Sequence, residues 1–189
     1  MSNNAFTRDR ALALVRENIA NERTVNHCLA SEAVMRALAR HFGEDEQAWG
    51  IAGLVHDLDY EIVEEAEDRH GKVAGEMLEK AGAPAEVVNA VVKHNAEGLG
   101  LERSTRFEHA LTCAETITGM IVATTLVYPD RKIASVKPKS VTKRMKTAHF
   151  ARAVSRERIM ECEAIGLPLA EFVALALEAM GGISDELGL

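Results

Sequence analysis

The stretch GLVHDLDYE, residues 53–61, decides which fold to expect. It opens with a short apolar run and ends that run with a histidine and an aspartate side by side, His56 and Asp57. Further acids follow within a few residues. Because buried polar groups need partners, such a pair at the end of an apolar segment predicts that other polar side chains meet it inside the protein.

The sequence around this stretch is typical of an all-α protein. Alanine, leucine, glutamate, lysine and arginine are abundant, and long alternating β-branched runs are absent. Capping and stop signals predict helices over residues 8–20, 24–42, 44–59, 69–82, 84–95, 105–127, 140–150, 155–166 and 168–182. We therefore expect one helical-bundle domain of about eight or nine helices over residues 1–189, with the motif-bearing core at about 24–127 and a C-terminal extension at 128–189.

Length and composition restrict the class of protein. The chain has 189 residues, of which 47% are hydrophobic, which suits one domain with a real core. A net charge of -7 and only 4% aromatic residues make a nucleic-acid polymer or an acidic membrane surface an unexpected partner. The sequence has neither an apolar run of about 20 residues nor a basic segment leading into an apolar one at its N-terminus, so we expect no membrane partner. Three cysteines without a CxxC spacing predict reduced thiols in a cytoplasmic protein.

The histidines fall into two groups. His41 and His149 lie at a predicted helix end and in a basic segment, where an imidazole is an ordinary surface residue. The others of interest are flanked by apolar residues on different predicted helices: His27, His56 with Asp57, His70 and His94. A bundle buries such faces together, and several imidazoles with a carboxylate satisfy one another poorly without a cation. The set therefore predicts a divalent metal ion in the bundle interior.

The adjacency of His56 and Asp57 leaves the number of ions open. Consecutive side chains of a helix point in directions that differ by roughly 100°. One ion could therefore bind both side chains only if the Asp57 carboxylate bends toward the side of the helix on which His56 lies. Alternatively, the carboxylate bridges two ions. Two ions about 3.5–4 Å apart can clamp a phosphate and generate a hydroxide nucleophile.

The order of these residues resembles the HD-domain superfamily of metal-dependent phosphohydrolases, in its HDIG-type branch. His27, the His56-Asp57 pair and the segment RHGKVAGEMLEKAGAPAEVVNAVVKHN carry the resemblance, which covers roughly residues 24–120. The resemblance implies an all-α fold and a metal site whose ligands are His27, His56, Asp57, His70, His94 and Glu115. Glu115 stands where the superfamily usually has an aspartate.

Two departures qualify the resemblance. Asn95 follows His94, where the HD-GYP branch often has a second histidine, and HDLDYE lacks the glycine and lysine of the HDIGK-like signature. We therefore do not expect a cyclic-dinucleotide phosphodiesterase.

The resemblance implies a phosphomonoesterase or phosphodiesterase that uses one or two ions of manganese, iron, nickel, cobalt or zinc. The expected substrate is a small phosphorylated metabolite or nucleotide. One alternative is a catalytically weak or inactive HD module that binds a ligand or regulates a partner. Another is a structural bundle whose histidines are unrelated core residues.

Two further groups are candidates for roles in catalysis. The catalytic carboxylates would be Asp57 together with Asp59, Glu61 or Glu64, with Asp59 the preferred general acid. Alternatively, each of these acids only solvates a loop. The cations Lys137, Lys139, Lys143 and Arg144 could form a phosphate-attracting rim over the site. They could also be a solvated helix face or a contact for RNA or an acidic protein. The apolar C-terminal helix PLAEFVALALEAM could pack on its own domain or on a second subunit, so a homo-oligomer remains open.

Overall fold

The computed structural model describes residues 6–64 and 66–189. These residues form twelve α-helices and a 3-10 turn at Ile133–Ser135, with no strand among them, which confirms the all-α prediction. The helices are α1 (Arg8–Asn18), α2 (Glu22–Phe42), α3 (Glu46–Val55), α4 (Tyr60–Val63), α5 (Lys72–Ala81), α6 (Ala85–His94), α7 (Ala96–Leu99), α8 (Arg106–Leu126), α9 (Pro138–Met145), α10 (Arg156–Ala164), α11 (Leu169–Gly181) and α12 (Ser184–Leu187). The number in the described part of the chain exceeds the predicted eight or nine because α4, α7 and α12 are single turns of four residues.

Two long helices organise the core. Helices α2 and α8, of 21 residues each, pack against one another; α2 also packs along α3, and α8 along α6 and α10. Their buried faces share one apolar cluster with α11, which packs on α2. Phe172, Ala176 and Met180 of α11 are fully buried there. The apolar face of the C-terminal helix is therefore covered by the chain's own core.

Helix α3 approaches α2 closely because of a glycine in the quoted stretch. A Cβ atom on Gly53 would lie 2.6 Å from the carbonyl oxygen of Ser31 in α2. Any side chain at this position would therefore separate the two helices. The close approach brings the end of α3, and with it His56, next to α2.

Helix α3 ends at Val55, four residues earlier than predicted. The next residues form tight turns, in which the Leu58 amide donates to the carbonyl of Val55 and the Tyr60 amide to that of Asp57. These bonds span three residues rather than four, as in a 3-10 turn. The turn points Asp57 and Asp59 in directions that a continued α-helix would not.

Two other helices begin at places different from the predicted ones. Helix α5 begins at Lys72 rather than residue 69, so His70 lies in the turn before it. Gly71 has a φ of 82°, a conformation that suits glycine. Helix α9 spans Pro138–Met145 rather than 140–150, with proline in the first turn, where its fixed φ is tolerated.

Within the residues that the structure describes, no single helix is long and apolar enough to cross a membrane; α10 and α11 reach that length only together, across a bend of 106°.

Candidate metal centre

Four histidines and one aspartate meet between α2, α3, α5 and α6. The Nε2 atoms of His27 and His56 lie 3.0 Å apart, and those of His70 and His94 lie 2.9 Å apart. These residues come from α2, from the turn after α3, from the turn before α5 and from the last position of α6. The fold thus brings together the imidazoles that the sequence singled out.

Asp57 lies between the two histidine pairs. Its Oδ1 atom is 3.4 Å from the Nε2 atoms of both His56 and His70 and 3.7 Å from that of His94. Its Oδ2 atom is 3.6 Å from Nε2 of His27. Among the described residues, two groups therefore have ligand atoms close enough to hold an ion: His27 with His56 and Asp57, and His70 with His94 and Asp57. The carboxylate belongs to both.

The hydrogen bonds of two histidines fix their tautomers. Nδ1 of His56 lies 2.9 Å from the carbonyl oxygen of Gly53, and Nδ1 of His94 lies 2.5 Å from that of Val91. A carbonyl oxygen can only accept, so each Nδ1 must carry a proton. In the neutral ring, the Nε2 atom then holds a lone pair.

The other two histidines are oriented by side chains. Nδ1 of His27 lies 2.9 Å from the Thr118 hydroxyl, which itself donates to the Glu115 carbonyl at 2.6 Å and therefore accepts from His27. Nδ1 of His70 donates to Oδ1 of Asp59 at 2.9 Å. When the four rings are neutral, the Nε2 lone pair of each is thus directed into the space that the Asp57 carboxylate also faces. Five electron-pair donors converge there.

The pKa shifts differ among the groups of the centre. Burial alone would raise the pKa of Asp57, but the surrounding imidazoles outweigh it and hold that pKa well below its ordinary range. Burial also opposes the charged form of His70, yet its bonds to Asp57 and Asp59 raise its pKa to about 10. Loss of hydration lowers the pKa of His27 and, further, that of His94. The lowered pKa values of His27 and His94 favour neutral rings beside an ionised carboxylate, and His70 would release its proton when a metal ion binds.

The spacing of the donors fits a divalent ion. Imidazole nitrogens bind such ions at about 2.0–2.1 Å. Two of them at nearly a right angle on one ion would lie about 3 Å apart, as the Nε2 atoms do within each pair, at 3.0 and 2.9 Å. Imidazole and carboxylate ligands suit zinc, iron, manganese, cobalt and nickel.

Glu115 of α8 lies beside these groups rather than within them. Its Oε2 atom is 3.9 Å from Nε2 of His27, and its Oε1 atom accepts the Thr116 hydroxyl at 2.5 Å. Burial raises the pKa of Glu115. Its role as a ligand in place of the usual aspartate stays a prediction.

Asp59 and Glu61 have contacts that differ from the predicted role of proton donor. Asp59 is fully buried, and besides His70 it accepts the backbone amides of Gly71 and Ala74, each at 2.9 Å. It therefore fixes His70 and the start of α5. Glu61 accepts the amides of Ala20 and Asn21 at 3.0 and 2.8 Å, which lowers its pKa and ties the loop between α1 and α2. The oxygens of both carboxylates are thus already engaged in structural contacts.

The predicted phosphate-binding cations lie apart from the metal centre. Lys137, Lys139, Lys143 and Arg144 line a cavity of about 460 Å³ together with Val127 and Tyr128. Val127 follows α8 directly and stands twelve positions beyond Glu115, which is about 18 Å along a helix. A different depression, of about 190 Å³, adjoins His27 and Glu115. The prediction of a cationic rim over the site is therefore not supported by this geometry, because the basic loop packs at the far end of α8.

Sequence reasoning missed two residues that the structure brings to the centre. Thr118 stands three positions after Glu115, on the same face of α8, and this spacing could have indicated its contact with His27. Arg158 of α10 lines the depression beside His27. It lies beyond the residues that carry the motifs, and no local signal distinguishes it from the other arginines.

Thr118→Val is expected to weaken metal affinity by about 10- to 100-fold, because loss of an acceptor for a metal-binding histidine typically has an effect of that size. Valine keeps the shape of threonine but cannot accept the Nδ1 proton of His27. Thr125→Val is the matched control, since the hydroxyl of Thr125 also bonds a carbonyl of α8, at 2.9 Å, and is buried. Calorimetric titration with Mn²⁺ measures both; equal affinity in the two variants would contradict the role of Thr118.

The helical fold and the five converging side chains are those expected of an HD domain. Residues 24–124 match the HD domain family, which is more than half of the chain, and the chain belongs to this family. The expected family is thereby confirmed.

Curated relatives are similar over a shorter stretch. Two of them are Ribonuclease Y of Fusobacterium nucleatum and Ribonuclease Y of Enterococcus faecalis, each 29% identical over 76 residues. The similarity covers 40% of this chain and 15% of each relative, so the chain matches about a seventh of their length. No solved structure matches the chain.

Proposed function

We propose that the protein is a metal-dependent phosphohydrolase that hydrolyses a phosphate ester or phosphoanhydride of a small metabolite or nucleotide. One observation carries the proposal: four imidazole lone pairs and the Asp57 carboxylate converge on one space, with every Nδ1 bonded elsewhere. Membership of the HD-domain family supports the same chemistry.

Two ions would be held, one by His27, His56 and Asp57 and the other by His70, His94 and Asp57. Bound divalent ions polarise a phosphoryl oxygen and lower the pKa of bound water toward about 7. The protein contributes orientation: the carbonyls of Gly53 and Val91, the Thr118 hydroxyl and the Asp59 carboxylate hold the four rings. Such pre-set ligands need no rearrangement when substrate binds.

The access route fits a phosphoryl group better than a whole nucleotide. His27 is the most exposed imidazole of the set, at 28% of its side chain, whereas His56 and His94 are 1% and 2% exposed. The depression beside His27 has about 190 Å³, below the roughly 300–1,000 Å³ of typical small-molecule pockets. We infer that the phosphoryl group enters and that the remainder of the substrate stays outside, which favours a terminal phosphate.

A metal-free binding module is the less favoured alternative. The Nε2 atoms of His27 and His56 lie 3.0 Å apart and those of His70 and His94 lie 2.9 Å apart. Without a cation, the two nitrogens of each pair would either face one another with their lone pairs or need an additional proton between them. A binding module without metal would have no use for four imidazoles held in these positions.

Release of inorganic phosphate tests the proposal. The chain is loaded separately with manganese, iron, nickel, cobalt and zinc and incubated with a panel of phosphorylated metabolites and nucleotides. We expect hydrolysis by wild type and by His149→Ala, whose histidine is exposed and lies outside the centre, and none by His56→Ala. Activity of His56→Ala equal to that of wild type would contradict the proposal.

RNA is a second candidate substrate. The two named relatives are ribonucleases by name. In the described part of the chain, the basic side chains of residues 131–146 form no salt bridge, whereas Arg8, Arg36 and Arg103 are each paired with a glutamate. A short oligoribonucleotide in the same assay distinguishes the candidates: cleavage that weakens in Lys139→Gln and at higher salt would favour RNA.

A further inference from the structure

Arg158 supplies the guanidinium of the depression beside the metal centre. The depression is lined by His27 of α2, by Glu115, Thr116 and Gly119 of α8, by residues 153–155 and by Arg158 of α10. The side chain of Arg158 is 27% exposed, so it is held by the protein but reaches solvent. Residue 158 lies beyond the residues that match the HD domain family.

One side of this guanidinium is anchored by hydrogen bonds, and the other has no hydrogen-bond acceptor among the described residues. Its Nη2 atom donates to Oδ1 of Asn95 at 3.2 Å and to Oε2 of Glu97 at 2.8 Å. Its Nη1 atom lies 3.9 Å from Oε1 of Glu115, too far for a hydrogen bond. Nη1 and Nε have no acceptor among the described residues. These N–H groups are available to a ligand in the depression.

The anchors of Arg158 also hold the metal-binding segments. Asn95 follows His94, is buried, and donates from Nδ2 to the carbonyls of Glu67 and His70 at 2.7 and 3.2 Å. It therefore fixes Arg158 relative to the turn that carries His70. Asn95 stands where the HD-GYP branch often has a second histidine, and in this structure it positions Arg158.

A second arginine completes the anchor. Arg103, whose side chain is 5% exposed, donates to both oxygens of Glu97 at 2.6 and 2.9 Å and to the carbonyl of His94 at 2.8 Å. Burial opposes the charge of Glu97 less than its bond to Arg103 favours it, and its pKa falls to about 2. Glu97 is thus a fixed anion to which Arg158 is bound.

We propose that Arg158 binds the phosphoryl oxygens of the substrate beside the metal ligands, with Asn95, Glu97 and Arg103 as its positioning residues. The inference rests on the proposed function and names the phosphate-recognition group of that site. A guanidinium suits this task because its planar set of N–H donors matches two phosphate oxygens at once. The lysines around the 460 Å³ cavity would then take no part in binding the phosphoryl group.

Binding of inorganic phosphate to the metal-loaded protein tests the proposal without requiring turnover. Arg158→Gln keeps a polar side chain but removes the charge and the paired donors, and we expect phosphate affinity to fall by about 10- to 100-fold. Lys143→Gln is the matched control, because it removes a cation from the distant cavity, and we expect no change. Metal content measured by elemental mass spectrometry should equal that of wild type in both variants, and thermal melting reports whether each is folded.

Arg158→Lys separates charge from geometry. We expect an affinity between those of wild type and Arg158→Gln, since lysine keeps the charge but lacks the planar pair of donors. With a phosphorylated substrate in hand, the loss in Arg158→Gln should appear mainly as a raised KM.

Three results would overturn the inference. They are unchanged phosphate affinity in Arg158→Gln, loss of affinity in Lys143→Gln instead, and loss of metal from Arg158→Gln, which would make Arg158 a structural residue. Failure of the proposed function is distinguishable from these. If phosphate binds through Arg158 but no phosphate ester is hydrolysed, the phosphate site stands and the hydrolase does not.

Discussion

Asp57→Asn is expected to leave the protein without either ion and to lower phosphohydrolase activity by at least about 1,000-fold. Among the described residues, Asp57 is the one carboxylate that faces both histidine pairs, at 3.4–3.7 Å from their Nε2 atoms. Asparagine has nearly the same shape but no negative charge to offset the charge of two cations. Loss of metal assistance removes several kcal/mol of transition-state stabilisation, and about 4 kcal/mol corresponds to a thousandfold in rate.

Variants of other residues make this prediction specific. Asp68→Asn changes the same group at an exposed position and should have wild-type activity and metal content. His56→Ala and His94→Ala should each lose one ion, because each histidine belongs to one group only. If Asp57→Asn kept a full complement of metal, the shared carboxylate would be the wrong description of the centre.

Removal of the ions is expected to lower the melting temperature by about 8–16 °C for each ion that is present at about 1,000 times its Kd. A ligand that binds only the native state at 1,000 times its Kd stabilises that state by about 4.1 kcal/mol. In a chain of this length, 1 kcal/mol shifts the melting temperature by about 2–4 °C. The metal-free state is the less stable one because four imidazole lone pairs and a carboxylate then face one another without a cation.

Differential scanning calorimetry with and without a chelator measures this shift. Restoring a divalent ion in excess should restore the higher melting temperature. Asp57→Asn should melt near the metal-free temperature and should not respond to the chelator. A wild-type protein whose melting temperature is the same in the presence of chelator and of added metal would contradict the prediction.

The helices and the meeting of four histidines with Asp57 could be predicted from the sequence because each leaves a local signal. Thr105 and Glu108 form the capping box that begins α8, and Gly43, with a φ of 71°, ends α2 as predicted. The histidines of the centre stood out because apolar residues flank them, which requires that they be buried and partnered.

The roles of the acids and of Arg158 could not be predicted, because they depend on contacts between distant segments. Asp59 accepts from residues 11 to 15 positions away, and nothing in HDLDYE indicates those partners. Arg158 bonds Asn95 across 63 positions. The proposed cationic rim over the site rested on charge alone, and charge does not specify which end of α8 the basic segment packs against.

The most direct test is the metal stoichiometry of purified wild type and His56→Ala, measured by elemental mass spectrometry after incubation with manganese, iron, nickel, cobalt or zinc and removal of excess. Two groups that share Asp57 predict about two equivalents of one of these metals in wild type and about one in His56→Ala. A wild-type protein that takes up none of the five metals would contradict the metal centre, and with it the phosphohydrolase.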